Sequence, residues 1–121
     1  MGKKLLGSAT IKVDGAVYKT NPGAKIDLGG PVREAVKGSS TVHGYTESVK
    51  ESTLECEISV DKDTSIAEIQ NIVDATIAFE ADTGQTWIIN SGWLADTPTV
   101  NEGDGGKVAL KFCGPPAEEM K

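Results

Sequence analysis

Hydrophobic positions recur at every second residue over much of the chain, the period of a half-buried β-strand. The clearest run is 53–60, where Leu54, Cys56, Ile58 and Val60 share one parity and Thr53, Glu55, Glu57 and Ser59 the other. Ala75, Ile77 and Phe79 alternate in the same way with Thr76, Ala78 and Glu80, and Val108, Leu110 and Phe112 form the inward side of a last strand over 107–112. Ile11 and Val13 alternate with Thr10 and Lys12, then meet Asp14-Gly15, a pair suited to a type I′ turn because both central residues need positive φ. Residues 16–20 are therefore predicted to return antiparallel. Ile26 and Leu28 make a short alternation after the Asn21-Pro22-Gly23 turn. Asp82-Thr83-Gly84 reads as a tight turn into a strand over 86–89.

One segment departs from period two. Ser65-Ile66-Ala67-Glu68 matches a capping box, in which the Ser and Glu side chains satisfy orphan amide donors. Ile66, Ile69 and Ile72 or Val73 then form one stripe at helical spacing, predicting a helix over about 65–72. A helix this short must pack on the sheet to persist. Two stretches show neither period. Residues 29–50 are polar, opened by Gly29-Gly30-Pro31 and divided by Gly38-Ser39-Ser40, and read as an extended loop; 101–106 reads as a short mobile loop.

Composition sharpens this picture. A chain of 121 residues holds one domain, 1–121, and 38% hydrophobic with 25% charged residues excludes a disordered tail or a membrane protein. Fourteen Gly and five Pro fit a turn-rich, mainly β protein. Twelve basic against eighteen acidic residues give a net charge of -6, which opposes binding that tracks nucleic-acid phosphates. The charge is uneven: 1–60 hold eight basic and seven acidic residues, 61–121 four basic and eleven acidic ones. A dipolar chain of this kind can associate head to tail, within a screening length of about 8 Å in physiological salt.

Candidate chemistry is sparse. The start, Met1-Gly2-Lys3-Lys4-Leu5-Leu6, has too few adjacent apolar residues for a signal peptide, and Leu6 stands where myristoylation needs Ser or Thr. No apolar run approaches a membrane span, so no membrane partner is expected. Cys56 and Cys113 read as small buried hydrophobes in a reducing compartment, a disulfide between them being the alternative. His43 is the single histidine, which excludes a His-rich metal site, and no GxSxG elbow accompanies it. Asp61-Lys62-Asp63-Thr64-Ser65 begins like a calcium loop, yet Ile66 and Ile72 stand where Gly and a bidentate Glu are required. Gly103-Asp104-Gly105-Gly106 precedes a strand and not a helix, a poor phosphate cradle. No catalytic, cofactor or metal site emerges, and the chain is expected not to be an enzyme. Carboxylates, by contrast, are arranged: Glu51, Glu55 and Glu57 share one parity, and Asp74, Glu80 and Asp82 lie on the parity opposite Ile77 and Phe79. Like charges adjacent in a sheet are mildly destabilising.

Several segments in order carry a family resemblance. They are Gly7-Ser8-Ala9-Thr10-Ile11-Lys12-Val13-Asp14-Gly15-Ala16-Val17-Tyr18, Thr53-Leu54-Glu55-Cys56-Glu57-Ile58, and Ser65-Ile66-Ala67-Glu68-Ile69-Gln70-Asn71. Asp74-Ala75-Thr76-Ile77, Phe79-Glu80-Ala81-Asp82-Thr83-Gly84-Gln85, Gly106-Lys107-Val108-Ala109-Leu110-Lys111-Phe112-Cys113-Gly114 and the Ala117-Glu118-Glu119-Met120 tail complete the pattern. The chain resembles the tail tube proteins of contractile-tailed, Mu-like bacteriophages and prophages over nearly its whole length.

That resemblance implies an antiparallel β-sandwich or partly closed β-barrel with one short flanking helix. It implies subunits that form hexameric rings, stacked into a tube inside a contractile sheath, with sheath, tape-measure and baseplate proteins as partners. DNA would pass through without sequence-specific binding. The location implied is the virion tail, assembled in the host bacterial cytoplasm. An acidic lumen repels phosphate, which makes Glu51, Glu55, Glu57, Glu80 and Asp82 the lumen candidates. The 29–50 segment becomes the assembly loop, with Val32, Arg33, Glu34, Val36, Lys37, Val42, Tyr45 and Glu47 as interface candidates. The alternative within this architecture is the tube subunit of a type VI secretion or pyocin-like device. The alternative from another class is a carbohydrate-binding β-sandwich that stacks sugars on Trp87, Trp93 and Tyr45.

Overall fold

The computed structural model describes residues 3–18 and 20–120, with every side chain there except that of Asp104. Met1 and Gly2 of the leader-like start, Lys19 of the predicted return strand, and Lys121 lie outside the described residues. Among the described residues there are ten strands and one α-helix: β1 (Ala9–Val13), β2 (Ala16–Tyr18), β3 (Lys25–Asp27), β4 (Gly30–Lys37), β5 (Val42–Lys50), β6 (Ser52–Ser59), α1 (Ile66–Gln70), β7 (Ala75–Ala81), β8 (Thr86–Leu94), β9 (Lys107–Gly114) and β10 (Glu118–Met120).

The strands pair antiparallel in the order β2-β1-β7-β8-β9-β6-β3, with β10 on the first half of β8. After β2 the chain crosses to the far edge of the sheet. Thr20 bridges Ile58, the Asn21 N–H donates to the Glu57 carbonyl at 2.7 Å, and β3 continues along β6. The interrupted strand β2/β3 thus pairs with β1 at one end and β6 at the other, and closes the sheet into a barrel. The expected Asp14-Gly15 turn is present, with φ of 50° and 86°.

Alternation decided which side of each strand faces inward. Leu54, Cys56 and Ile58 of β6, Ile77 and Phe79 of β7, and Val108, Leu110 and Phe112 of β9 are buried with Ile11, Val13 and Ile89. Each such side chain contributes about 1.5–3 kcal/mol of burial. Helix α1 packs over this core as the stripe predicted. The Ser65 hydroxyl accepts the Glu68 N–H at 3.3 Å, Ile69 is buried, and Ile66 and Ile72 pack against the core, while Val73 faces out.

Three expectations are corrected. Strand β8 does not stop at 89 but runs to Leu94. A bulge at residues 90–91, with Ser91 at φ 54°, bends it so that residues 86–89 and Gly92 pair with β7 and its last two residues with β9. Residues 102–104 form a 3-10 turn whose start is capped by the Asn101 side chain, which accepts the Gly103 N–H at 3.0 Å. Residues 29–50 are not an irregular loop. They form the hairpin β4–β5, in register from Gly30 opposite Lys50 to Lys37 opposite Val42, with one irregularity near the tip. Of its strand residues Gly30 alone is buried. A ribbon that buries neither face has no reason to alternate apolar and polar residues.

Candidate functional site

The hairpin stands on a tightly fitted root. Gly29 adopts φ +69°, and a Cβ there would lie 2.7 Å from backbone atoms of Lys50, Glu51 and Ser52. The Gly29 N–H donates to Asp27 Oδ1 at 3.1 Å, and Lys50 Nζ to Asp27 Oδ2 at 2.6 Å. The Lys50 hydrogen bond holds the Asp27 carboxyl below the usual carboxylate range, and the same contact pushes the Lys50 ammonium up. Ser52 has the apolar parity of β6 and is fully buried; its hydroxyl donates to the carbonyls of Pro115 at 2.6 Å and Gly114 at 3.2 Å. Gly29 and Lys50 mark the ends of the segment in the sequence reading, but Asp27 and Ser52 escaped it. The signal was there in Ser52, a polar residue on the inward parity of Leu54, Cys56 and Ile58.

Beyond the root the two ribbon faces differ. One carries Pro31, Arg33 and Ala35 opposite Val49, Glu47 and Tyr45. Arg33 Nε lies 3.7 Å from Glu47, and its guanidinium sits 5.9 Å from the Tyr45 ring centroid. The other carries Val32, Glu34 and Val36 opposite Ser48, Thr46 and Gly44. Lys37 and Val42 close the ribbon, with His43 at the irregularity, exposed beside Gly38. The eight interface candidates therefore share one hairpin but not one face. Val49 at 77% exposure, Val42 at 66% and Tyr45 at 62% are large apolar groups left mostly exposed among the described residues. An uncovered two-stranded ribbon is marginal in water.

The five acidic candidates do not form one surface. Glu55 and Glu57 point outward from β6, and Glu80 outward from β7. Around the barrel, β6 and β7 are three strands apart in either direction, so their outer faces look away from each other. Shared parity located each carboxylate on its own strand and could not locate one strand relative to another. Glu55 is paired with Lys25 Nζ at 2.9 Å, which with Lys111 draws its carboxyl below the usual range. Glu57 accepts from Asn21 Nδ2 at 3.4 Å, and Glu80 pairs with Lys12 at 2.9 Å. Asp82 clasps the N-terminal arm: it accepts the Gly7 and Ser8 N–H groups and the Ser8 hydroxyl, each at 3.2 Å, with Lys4 Nζ at 3.9 Å. The Gly7 N–H contributes most to holding the Asp82 carboxyl low. Glu51 is exposed between hairpin and barrel.

The sugar platform is dispersed. Trp87 packs edge-on against Phe79 with centroids 5.9 Å apart, and its indole N–H donates to Glu119 at 3.0 Å. Trp93 lies beyond the β8 bend opposite Cys113, and Tyr45 lies on the hairpin. Both cysteines are free, with Cys56 buried and Cys113 half-buried. Asp61 folds back on its own loop, its Oδ1 accepting the Asp63 N–H at 2.9 Å and the Thr64 hydroxyl at 3.0 Å, an Asx turn.

Residues 2–119 match the sequence profile of a family described as phage tail tube protein. The chain is 35% identical over 113 residues to the tail tube protein of Mu-like prophage FluMu from Haemophilus influenzae, covering 93% of each chain. It is 34% identical over 109 residues to the tail tube protein of Escherichia phage Mu, covering 90% of this chain and 89% of that one. Among solved structures, the anti-feeding prophage cap, a tube-terminating cap, superposes with a TM-score of 0.73 at 6% identity, over 100% of this chain and 94% of that one. The sheath/tube terminator of an extracellular contractile injection system gives 0.72 at 8% identity, over 100% and 99%. At such identities the solved structures establish a shared fold. The sequence relatives, over nine-tenths of the chain, establish more: this barrel with its projecting hairpin belongs to the phage tail tube protein family, as a structural subunit.

Proposed function

We propose that the subunit polymerises as hexameric rings stacked into the tube of a contractile phage tail, with the β4–β5 hairpin as the joint between copies. The observation that carries this reading is the hairpin itself: a ribbon fixed at its root, uncovered on both faces, and apolar at Val42, Tyr45 and Val49. Such a ribbon gains a partner when a neighbouring subunit covers it. The partners in this reading are the chain itself, a surrounding sheath, and tape-measure and baseplate proteins. DNA passes through the lumen without sequence-specific contact and no cofactor takes part. The tube is a virion tail component assembled in the host cytoplasm, and its role is conduit and not catalyst.

The acidic-lumen idea narrows in this reading to one of two groups. A channel wall takes either the β6 side, with Glu51, Glu55 and Glu57, or the β7 side, with Glu80 and Asp82. Sequence relatives at about one-third identity favour a phage tail over a secretion device. The test replaces residues 33–47 with a short Gly/Ser linker and examines the concentrated protein by electron microscopy. A folded barrel that no longer builds tubes is expected; normal tubes from that variant would show that the hairpin is not the joint.

A further inference from the structure

Stacking in an open-ended array needs two different surfaces, because whatever projects from one end of a subunit must meet the opposite end of the next. The hairpin leaves the barrel where β6 begins, between Lys50 and Ser52. At the other end of β6, roughly 23 Å away along seven residue steps, a groove of about 440 Å³ opens between the β1–β2 turn, the end of β6 and helix α1. Its lining includes the apolar side chains of Val17, Ile58 and Ile72. Its rim carries the carboxylates of Asp14, Asp61, Asp63 and Glu68, and among the described residues no Lys or Arg lines it. Val17 is 61% exposed there.

The outer half of the hairpin has the complementary composition. Residues 35–45 contain Val36, Val42 and Tyr45, one cation, Lys37, and no acidic residue. Among the described residues Lys37 has no ion-pair partner.

We propose that this groove is the docking site for the outer half of the hairpin from a second copy of the chain. Val42, the cross-strand partner of Lys37 on the same ribbon face, would pack on the apolar part of the lining while Lys37 meets the carboxylates of Asp63 and Glu68. The assignment rests on the hairpin being the joint between copies and adds where on the next subunit it lands. Tyr18 also lines the groove, and burial first, then Cys56, Asp14 and Glu68, push its hydroxyl up.

Charge reversal tests it. Asp63 and Glu68 are exposed, so Asp63→Lys/Glu68→Lys is expected to fold, with a melting temperature lowered only slightly by the loss of the acidic residue from the first turn of α1. Its yield of sedimentable tubes is expected to fall at least about tenfold, since like charges facing across an interface are strongly disfavoured. Lys37→Glu alone is expected to fall similarly, and an equimolar mixture is not needed for rescue: combining the three substitutions in one chain is expected to restore stacking. Carbodiimide coupling of wild-type tubes gives a second readout, a Lys37 to Asp63 or Glu68 cross-link between an isotopically labelled and an unlabelled copy. Normal tubes from the Asp63/Glu68 variant, or a cross-link map without that pair, would overturn the groove as acceptor. Normal tubes from the linker variant described above would instead overturn the hairpin as the joint, so the two failures are distinguishable.

Discussion

The Ser52 hydroxyl lies 2.6 Å from the Pro115 carbonyl oxygen and pins the exit of the hairpin to the segment that follows β9. The contact is buried, and Gly114 offers a second acceptor at 3.2 Å. Ser52→Ala leaves these carbonyls without their donor and is expected to cost about 1–3 kcal/mol. Urea unfolding of both proteins measures it. A loss below about 0.5 kcal/mol would mean that the hydroxyl contributes no net hydrogen bond here.

Gly29 and Gly105 share nearly the same φ, +69° and +65°, but differ in surroundings. A Cβ at Gly105 meets nothing within 4 Å, whereas one at Gly29 meets backbone atoms at 2.7 Å. Gly105→Ala is therefore expected to cost about 1–2 kcal/mol for left-handed strain alone. Gly29→Ala is expected to cost clearly more, because neighbouring backbone cannot move aside as a side-chain end can. Equal losses in denaturant titrations would show that the hairpin root yields.

Helix α1 is too short to persist without its anchor. Ile69→Ala is expected to destabilise by about 2–5 kcal/mol, and Ser65→Ala by about 0.5–2 kcal/mol through loss of the cap. Thermal melts of the two variants should rank in that order. The reverse ranking would place the helix's stability in its cap and not in its packing.

The Asp82 clasp predicts a pH dependence. Its carboxyl is held below the ordinary value, chiefly by the Gly7 N–H. A lowered folded-state pKa means that the clasp contributes above the unfolded value, about 3.9, and is lost as pH falls through the lowered one. Gly7 and Ser8 amide resonances are expected to titrate with a midpoint below that value, and Asp82→Asn should abolish the transition. A midpoint at or above it would contradict the clasp.

Thiol reactivity should separate the cysteines. Burial pushes the Cys56 thiol up to about 11, so it stays protonated near neutrality. Iodoacetamide at mildly alkaline pH is expected to modify half-buried Cys113 in the native protein and Cys56 only after unfolding. Peptide mass spectrometry checks this, and native labelling of Cys56 would show that the barrel opens at β6.

Where a strand buries one face, its sequence recorded the fact. Leu54, Cys56 and Ile58, or Ile77 and Phe79, had to alternate because water lies on one side and the core on the other. Local chemistry was equally legible: Asp14-Gly15 tolerates the positive φ of its turn, and Ser65 caps the helix through an atom three residues from its partner. The rest depended on relations between distant segments. The hairpin 30–50 has no alternation because neither of its faces is buried among the described residues. The bend of β8 lies in Asn90-Ser91-Gly92, where nothing local distinguishes a strand end from a bulge. Glu57 and Glu80 each announced that they face outward, but outward from a closed barrel is a different direction for every strand. The sequence by itself determined the sides of the strands; closure of the barrel, by pairing residues far apart in the chain, decided where those sides point.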